Sequence, residues 1–94
     1  MEKEKFEYPF NNGLQFKVVL GEDGYNVNLS GGTLQQPLMG TFTSFEEMLY
    51  ALAPIVQENV QDRFEFGIFS SDLWCNFAEN TSLECYEAAE ILLK

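Results

Sequence analysis

The chain has 94 residues, of which 15 are acidic, five are basic and none is histidine, so its formal net charge at pH 7 is −10. This length fits one domain with a single hydrophobic core, and a hydrophobic fraction of 46% excludes the composition of a disordered chain. The missing histidine excludes Ser-His-Asp and Cys-His catalytic arrangements. The shortage of Lys and Arg excludes direct nucleic-acid binding, which requires neutralisation of phosphates.

The N-terminus lacks the features of a targeting segment. Residues 1–5 carry charges of both signs and lead into Phe6–Phe10, without the apolar region of a secretory signal. No apolar run approaches the roughly 20 residues that span a bilayer. We therefore expect a cytoplasmic protein without membrane association, in which Cys75 and Cys85 are free and buried in the core.

The first thirty residues predict an antiparallel meander. Apolar residues alternate with mostly polar ones in three segments, 6–10, 14–20 and 25–29, as they do in half-buried strands. Asn-Gly and Asp-Gly pairs between these segments are typical of tight hairpin turns. Pro9 predicts that the first strand lies at an edge of the sheet, because proline cannot donate a ladder hydrogen bond.

A loop follows, and residues 38–42 are predicted as a fourth strand that leads into the first helix. Thr43 and Ser44 can each act as the N-cap, and Glu46 or Glu47 three residues later completes a capping box. A core-facing apolar stripe follows at helical spacing: Phe45, Met48, Leu49, Leu52 and Val56.

Pro54 interrupts this stripe. A proline inside a helix removes a backbone hydrogen bond and crowds the preceding turn. We therefore expect a kink or a break near Ala53, after which the helix resumes and continues to about Gln61.

The second half of the chain is less regular. Residues 64–68 alternate again and are predicted as a strand. The segment 73–77 fits either a partner strand or a short helix capped by Ser71, and periodicity cannot distinguish the two over so few residues. Thr81 with Glu84 forms a further capping box, which predicts a final helix to the C-terminus.

Together these elements predict an α+β fold in a single domain, residues 1–94. Its antiparallel sheet is expected to have four to six strands, including the N-terminal meander. Two main helices are expected to pack on one face of this sheet.

No group of residues predicts catalysis or metal binding. Acidic residues flank both cysteines and disfavour a reactive thiolate, and two cysteines without histidine cannot complete a tetrahedral zinc site alone. Glu22 and Asp23 lack EF-hand spacing, and the glycine-rich segment 30–33 lacks the lysine of a P-loop. We therefore expect no catalytic residue, no metal and no cofactor.

The last predicted helix carries an acidic stripe. Its glutamates recur every third residue, about 4.5 Å apart along the helix axis, and one DNA strand carries a charge about every 3.4 Å. The alternative interpretation is a solvated helix face on which Glu90 pairs with Lys94. We expect partner contacts at this stripe and at two acidic pairs: Glu84, Glu87, Glu90, Glu22, Asp23, Glu46 and Glu47.

The passage from the fourth strand into the first helix resembles a known junction. Pro37–Gly40, followed by Thr43–Glu47 and Ala51, is similar to the strand-to-helix junction of small HicB-type antitoxins. The spacing differs, and the stretch covers less than a fifth of the chain.

The charge balance favours a non-enzymatic acidic protein that binds a basic partner. Our first hypothesis is a nucleic-acid mimic that inhibits a nucleic-acid-handling protein such as a nuclease, as anti-CRISPR and anti-restriction proteins of phages do. An immunity protein or antitoxin that neutralises a basic toxin is the first alternative. The second is a small enzyme or ligand-binding domain with an apolar pocket lined by Trp74 and phenylalanines. Self-association is left open.

Overall fold

A computed structural model describes residues 4–93, which form an antiparallel sheet with helices on one of its faces. The sheet has the strand order β1-β2-β3-β4, and its strands are β1 (Glu4–Pro9), β2 (Gln15–Gly21), β3 (Gly24–Ser30) and β4 (Leu38–Phe42). The helices are α1 (Phe45–Asn59), α2 (Arg63–Phe77) and α3 (Cys85–Leu93), with a 3-10 turn at Ala78–Asn80. The predicted α+β fold is confirmed, with four strands and with three α-helices where two main helices were expected.

The meander forms as the alternation of apolar residues predicts. Phe6 lies opposite Val18, and Val18 lies opposite Val27, so these side chains share the inner face of the sheet. Polar residues between them point to the opposite face, which the helices leave open. β1 is an edge strand, as Pro9 predicts.

Gly24 fixes the turn between β2 and β3. Its φ angle of +120° is one that side-chain-bearing residues rarely adopt, and an added Cβ would lie 2.2 Å from the carbonyl oxygen of Phe42. The turn therefore brings Glu22 and Asp23 to the end of the sheet at which β4 passes into α1.

α1 begins where the sequence predicts but is not broken. The Ser44 hydroxyl accepts a hydrogen bond from the Glu47 N–H at 3.1 Å, which confirms Ser44 as the N-cap. The expected break is wrong, because α1 continues through Pro54 to Asn59. Pro54 lies on the exposed side of α1, where solvent can satisfy the Tyr50 carbonyl that lacks a helical partner.

The strand predicted at residues 64–68 is wrong, and the open segment 73–77 is helical, because both belong to α2. The Asp62 carboxylate caps this helix by accepting hydrogen bonds from the Phe64 and Glu65 N–H groups at 3.0 and 3.2 Å. Phe64 and Ile68 are exposed, so their alternation with Phe66 does not mark a sheet face. The buried stripe of α2 follows helical spacing: Phe66, Phe69, Ser70, Leu73 and Phe77.

The start of α3 differs from the predicted capping box. Glu84, not Thr81, is the N-cap: its carbonyl accepts the first helical hydrogen bond from Ala88, and the Glu87 carboxylate accepts the Glu84 N–H at 2.9 Å. The Thr81 hydroxyl instead accepts the Leu83 N–H in the preceding turn. The pair predicted between Glu90 and Lys94 lies outside the described residues.

Polar contacts fix the helices relative to the sheet at one end of the molecule. The Glu65 carboxylate, on a residue only 7% exposed, accepts the Asn11 N–H at 2.8 Å. The Asn12 side chain donates to the Asn59 carbonyl, and the Thr33 hydroxyl donates to the Asn59 side chain. The turn after β1, the loop before β4 and the junction between α1 and α2 therefore meet at one hydrogen-bonded cluster.

Two further hydrogen bonds hold α3 in place. The Trp74 indole N–H donates to the Leu83 carbonyl at 2.7 Å and joins α2 to the segment before α3. The Gln57 side chain donates to the Leu92 carbonyl at 2.5 Å and joins α1 to α3. The second of these bonds links α1 and α3 where the two helices lie side by side.

Phe69 is the centre of the contact between α2 and the sheet. Its side chain is fully buried, and its ring centroid lies 4.9–6.4 Å from those of five other aromatic residues: Phe6, Tyr8, Phe10, Phe16 and Phe66. Edge-to-face and tilted geometries of this kind add to the stabilisation that burial gives.

We predict that Phe69→Ala lowers the free energy of unfolding by about 3–5 kcal/mol, because it leaves a cavity within this cluster. Phe64→Ala is the matched control on the same helix, since Phe64 is 79% exposed and its loss should change stability by roughly 0.5 kcal/mol or less. Chemical denaturation of both variants measures the difference. Equal losses would show that Phe69 does not hold α2 on the sheet.

Candidate functional site

Charge is divided unequally between the two layers. Residues 43–93, which form the helices, contain ten acidic residues and one basic residue, Arg63. Lys5 and Lys17 lie on the open face of the sheet, and Lys17 is directly opposite Glu7 across the β1–β2 pair. The helical side is therefore strongly negative, while the open sheet face carries both signs.

A groove between α1 and α3 gathers part of this negative charge. Its volume is about 410 Å³, and three carboxylates line it, from Glu46 on α1 and from Glu87 and Glu90 on α3. Gln57 and Tyr50 of α1 also line it, as do apolar residues from both helices and from the segment before α3: Ala53, Pro54, Leu83 and Ile91. We call this feature the α1–α3 groove.

The groove has the chemistry that accepts a cationic side chain. A lysine or arginine combines a hydrophobic stem with a charged head, and the groove offers apolar contacts together with carboxylates. Tyr50, which is 61% exposed, also lines the groove and presents a ring face on which a guanidinium can stack.

Glu87 has a second role besides lining the groove. Its carboxylate accepts the Glu84 N–H and so completes the N-cap of α3. The charge of Glu87 also lies in the first turn of that helix, where the macrodipole favours an anion.

The structure brings together three of the seven predicted contact residues. Glu46, Glu87 and Glu90 line the α1–α3 groove. Glu84 is exposed at the start of α3, and Glu47 accepts a hydrogen bond from the Thr43 hydroxyl at 2.6 Å. These two residues are outside the lining of the groove.

Glu22 and Asp23 form a separate acidic position. Both are exposed in the two-residue turn between β2 and β3, and neither lines the α1–α3 groove. The structure therefore divides the predicted contact set into a groove and a turn.

The sequence analysis did not identify Tyr50 as a residue of the candidate site. Tyr50 is a large aromatic residue on the polar side of the amphipathic helix α1. An aromatic residue at a position where a polar one is expected is the sequence feature that could have indicated its exposure. The approach of Tyr50 to Glu87 and Glu90 depends on how α1 packs against α3, which local patterns do not specify.

A second negative region lies where α2 packs on β1. Burial raises the pKa of Tyr8, and the nearby charges of Glu65, Asp72 and Asp62 raise it further. The pKa of Tyr8 therefore lies above the ordinary tyrosine value of 10.0. Burial similarly raises the pKa of Tyr25, with a further contribution from Glu4.

The cysteines are free, as expected, but they are not both buried. Cys75 is exposed on α2, and Cys85 is half-buried at the start of α3. The expectation that they fill the core is wrong, because aromatic and aliphatic residues occupy the buried stripes of these helices.

Within residues 4–93, no group of three or more Cys, Asp or Glu side chains is arranged to hold a metal ion.

Comparisons with protein-family models, with curated proteins and with solved structures give no match for this chain. None of the helices within residues 4–93 has the length and apolar character needed to cross a bilayer. The charge distribution and the α1–α3 groove are therefore the features from which a function can be inferred.

We predict that Glu87→Ala destabilises the fold by about 1 kcal/mol, since it removes a capping interaction from α3. Glu87→Gln keeps an oxygen that can accept the Glu84 N–H, so it should lose less. Glu90→Ala, one turn further along the same helix, should stay within roughly 0.5 kcal/mol of the wild type. Thermal unfolding of the three variants gives the comparison, and equal values would refute the cap.

Proposed function

We propose that this chain is a non-enzymatic inhibitor that occupies the basic surface of a nucleic-acid-handling protein, such as a nuclease. In this proposal it acts as a nucleic-acid mimic of the anti-CRISPR or anti-restriction type. The partner is a basic protein, and the chain itself does not bind nucleic acid.

The observation that carries this proposal is the concentration of acidic residues on the helical side. Residues 43–93 contain ten acidic residues, and Arg63 is their one basic residue. Uncompensated charge of one sign destabilises the fold through mutual repulsion. The same charge attracts a partner of opposite sign and raises the rate at which the two proteins associate. A basic binding surface is the kind of partner that this distribution attracts.

The α1–α3 groove supports a particular mode of contact. Basic nucleic-acid-binding surfaces present arginine and lysine side chains that neutralise phosphates. The groove offers Glu46, Glu87 and Glu90 in place of those phosphates, next to apolar atoms that can cover the stem of such a side chain. The inhibitor then competes directly with nucleic acid for the same groups.

Affinity capture followed by competition tests the proposal. The tagged chain is incubated with a host lysate, and bound proteins are eluted with a salt gradient. The proposal requires a nucleic-acid-binding protein whose purified form loses nucleic-acid binding when the chain is added. Capture of a single toxin would favour the immunity or antitoxin hypothesis, and saturable binding of a small molecule would favour a ligand-binding domain.

We predict that removing the three groove charges weakens partner binding. The triple variant Glu46→Gln, Glu87→Gln and Glu90→Gln should lower affinity by at least tenfold, because it leaves the partner's basic groups without carboxylates. Gln at position 87 keeps an acceptor for the α3 cap.

The matched control removes three charges elsewhere, outside the predicted contact set, with Glu58→Gln, Asp72→Asn and Glu79→Gln. All three residues are exposed, and none lines the groove. Isothermal titration calorimetry with the captured partner compares the two variants. If the control loses as much affinity as the groove variant, net charge rather than the groove governs recognition.

We also predict that the association rate falls steeply with salt. Steering between oppositely charged surfaces is screened over about 8–10 Å at physiological ionic strength. Stopped-flow or surface-based kinetics at low and high salt measure this change. An association rate that does not depend on salt would contradict the steering on which the proposal is built.

A further inference from the structure

One continuous part of this highly charged chain carries no charge at all. Residues 24–45 contain no Asp, Glu, Lys or Arg, whereas the remainder of the chain holds all 20 charged residues. This segment comprises β3, the loop after it, β4 and the start of α1. Any surface formed by β4 is therefore neutral.

The β4 edge also lacks the features that protect an edge strand from pairing. β4 pairs with β3 in an unbroken five-residue register, and the other edge of the sheet, β1, carries Lys5, Glu7 and Pro9. Charged residues, proline and bulges are the usual protection against edge-to-edge association. On β4, Leu38 is 40% exposed and Met39 is 77% exposed.

A shallow apolar groove runs beside this edge. Its volume is about 80 Å³, and it lies between the inner face of β4 and one side of α1, where Ala51, Leu52 and Ile55 line it. The Phe42 ring covers Gly40, since a Cβ at Gly40 would lie 3.2 Å from it. A strand added next to β4 would place every second side chain over this groove.

We propose that the occupant of this edge is β4 of a second copy of the chain. The two strands pair antiparallel about a twofold axis at Gly40 and join two four-stranded sheets into one of eight strands. In this register, Leu38 lies beside the partner copy's Phe42, and Met39 lies beside the partner copy's Thr41. Each of these residue pairs occurs twice about the axis, as an isologous contact requires. Apolar residues face each other on the inner side, with glycine at the centre.

Electrostatics distinguishes this surface from the other faces of the molecule. Two copies with a charge of −10 each repel one another, and contacts through the helical side would oppose carboxylate to carboxylate. The segment 24–45 offers a contact in which neutral strand meets neutral strand. Glu47 and Glu58 of α1 are exposed at helical positions that border the lining of the apolar groove beside β4. Some repulsion between the carboxylates of the two copies therefore persists at the margin of the contact.

The size of the contact predicts a weak, reversible dimer. Stable interfaces bury roughly 1,200–2,000 Å² in total, and pairing of two five-residue strands with their flanking α1 side chains lies at or below the lower limit. Screening of the remaining repulsion should strengthen the dimer at high salt. This sign is opposite to that expected for binding of a basic partner, so the two associations can be separated.

Sedimentation equilibrium of the wild-type chain from about 10 μM to about 1 mM, at low and high salt, tests the proposal. We expect a monomer–dimer equilibrium whose association constant increases roughly threefold or more with salt. Amide NMR shifts should change with concentration in β4 and not in α3. A monomer across the whole range, or shifts outside β4 and its neighbours, would overturn the proposal.

Two charge variants locate the contact. Met39→Glu places one negative charge from each copy next to the twofold axis, where the two charges are diagonal neighbours, and should reduce dimerisation by about tenfold or more. Asn28→Glu is the matched control, because Asn28 is exposed on the same sheet face, directly opposite Met39 on the interior strand β3. If both variants dimerise as the wild type does, or if both lose the dimer equally, β4 is not the contact.

Discussion

The packing of α2 on the sheet through Phe69 is the interaction on which the other helices depend. Phe69 contacts aromatic residues from β1, β2 and the turn between them, so it fixes α2 over one half of the sheet. Tyr25, Phe45 and Phe77 form a second aromatic group with ring centroids 5.3–6.0 Å apart, which joins β3 to the start of α1 and the end of α2. α3 then contacts α1 and α2, and the α1–α3 groove follows from that arrangement.

Solvent exposure of the carboxylates accounts for the tolerance of so much charge. Most carboxylates on the helical side are exposed, where solvent and salt screen their mutual repulsion. Glu87 is half-buried and Glu65 is buried, and the Glu65 carboxylate is stabilised by the Asn11 N–H. The fold can therefore remain stable with few basic residues, which leaves the acidic groups available to a partner.

α1 separates two surfaces of different chemistry. Glu46, Tyr50 and Gln57 face the acidic groove shared with α3, whereas Leu52 and Ile55 face the neutral groove beside β4. Because the two grooves lie on different sides of one helix, binding of a basic partner and pairing of strands need not compete for the same atoms.

The sheet could be predicted from sequence because its evidence is local. Alternating apolar residues and glycine-containing turns specify β1 to β3, and the Ser44 cap specifies the start of α1. α2 could not be predicted in the same way, because Phe64, Phe66 and Ile68 alternate with other residues as they would in a strand. In the structure, however, Phe64 and Ile68 are exposed. Their helical state follows from the Asp62 cap and from burial of Phe69, a contact that links residues distant in sequence.

The candidate site was predicted only in part for a similar reason. Regular spacing correctly identified glutamates on the last helix, although Glu84 caps that helix instead of lying within it. The association of Glu87 and Glu90 with Glu46 depends on the packing of α1 against α3, which also brings in Tyr50. The spacing of Thr81 and Glu84 predicted a cap at Thr81, but the Thr81 hydroxyl accepts the Leu83 N–H and stabilises the turn before α3.

Under the proposed function, the two roles of Glu87 link the binding of a cation to the local folding of α3. A cation that draws this carboxylate into the α1–α3 groove weakens its hydrogen bond to the Glu84 N–H, and part of the binding free energy is then offset by fraying of the first turn of α3. The linkage is reciprocal, so any condition that loosens this turn frees the carboxylate for a ligand. The first turn of α3 is therefore the part of the fold whose stability would depend on the ligand.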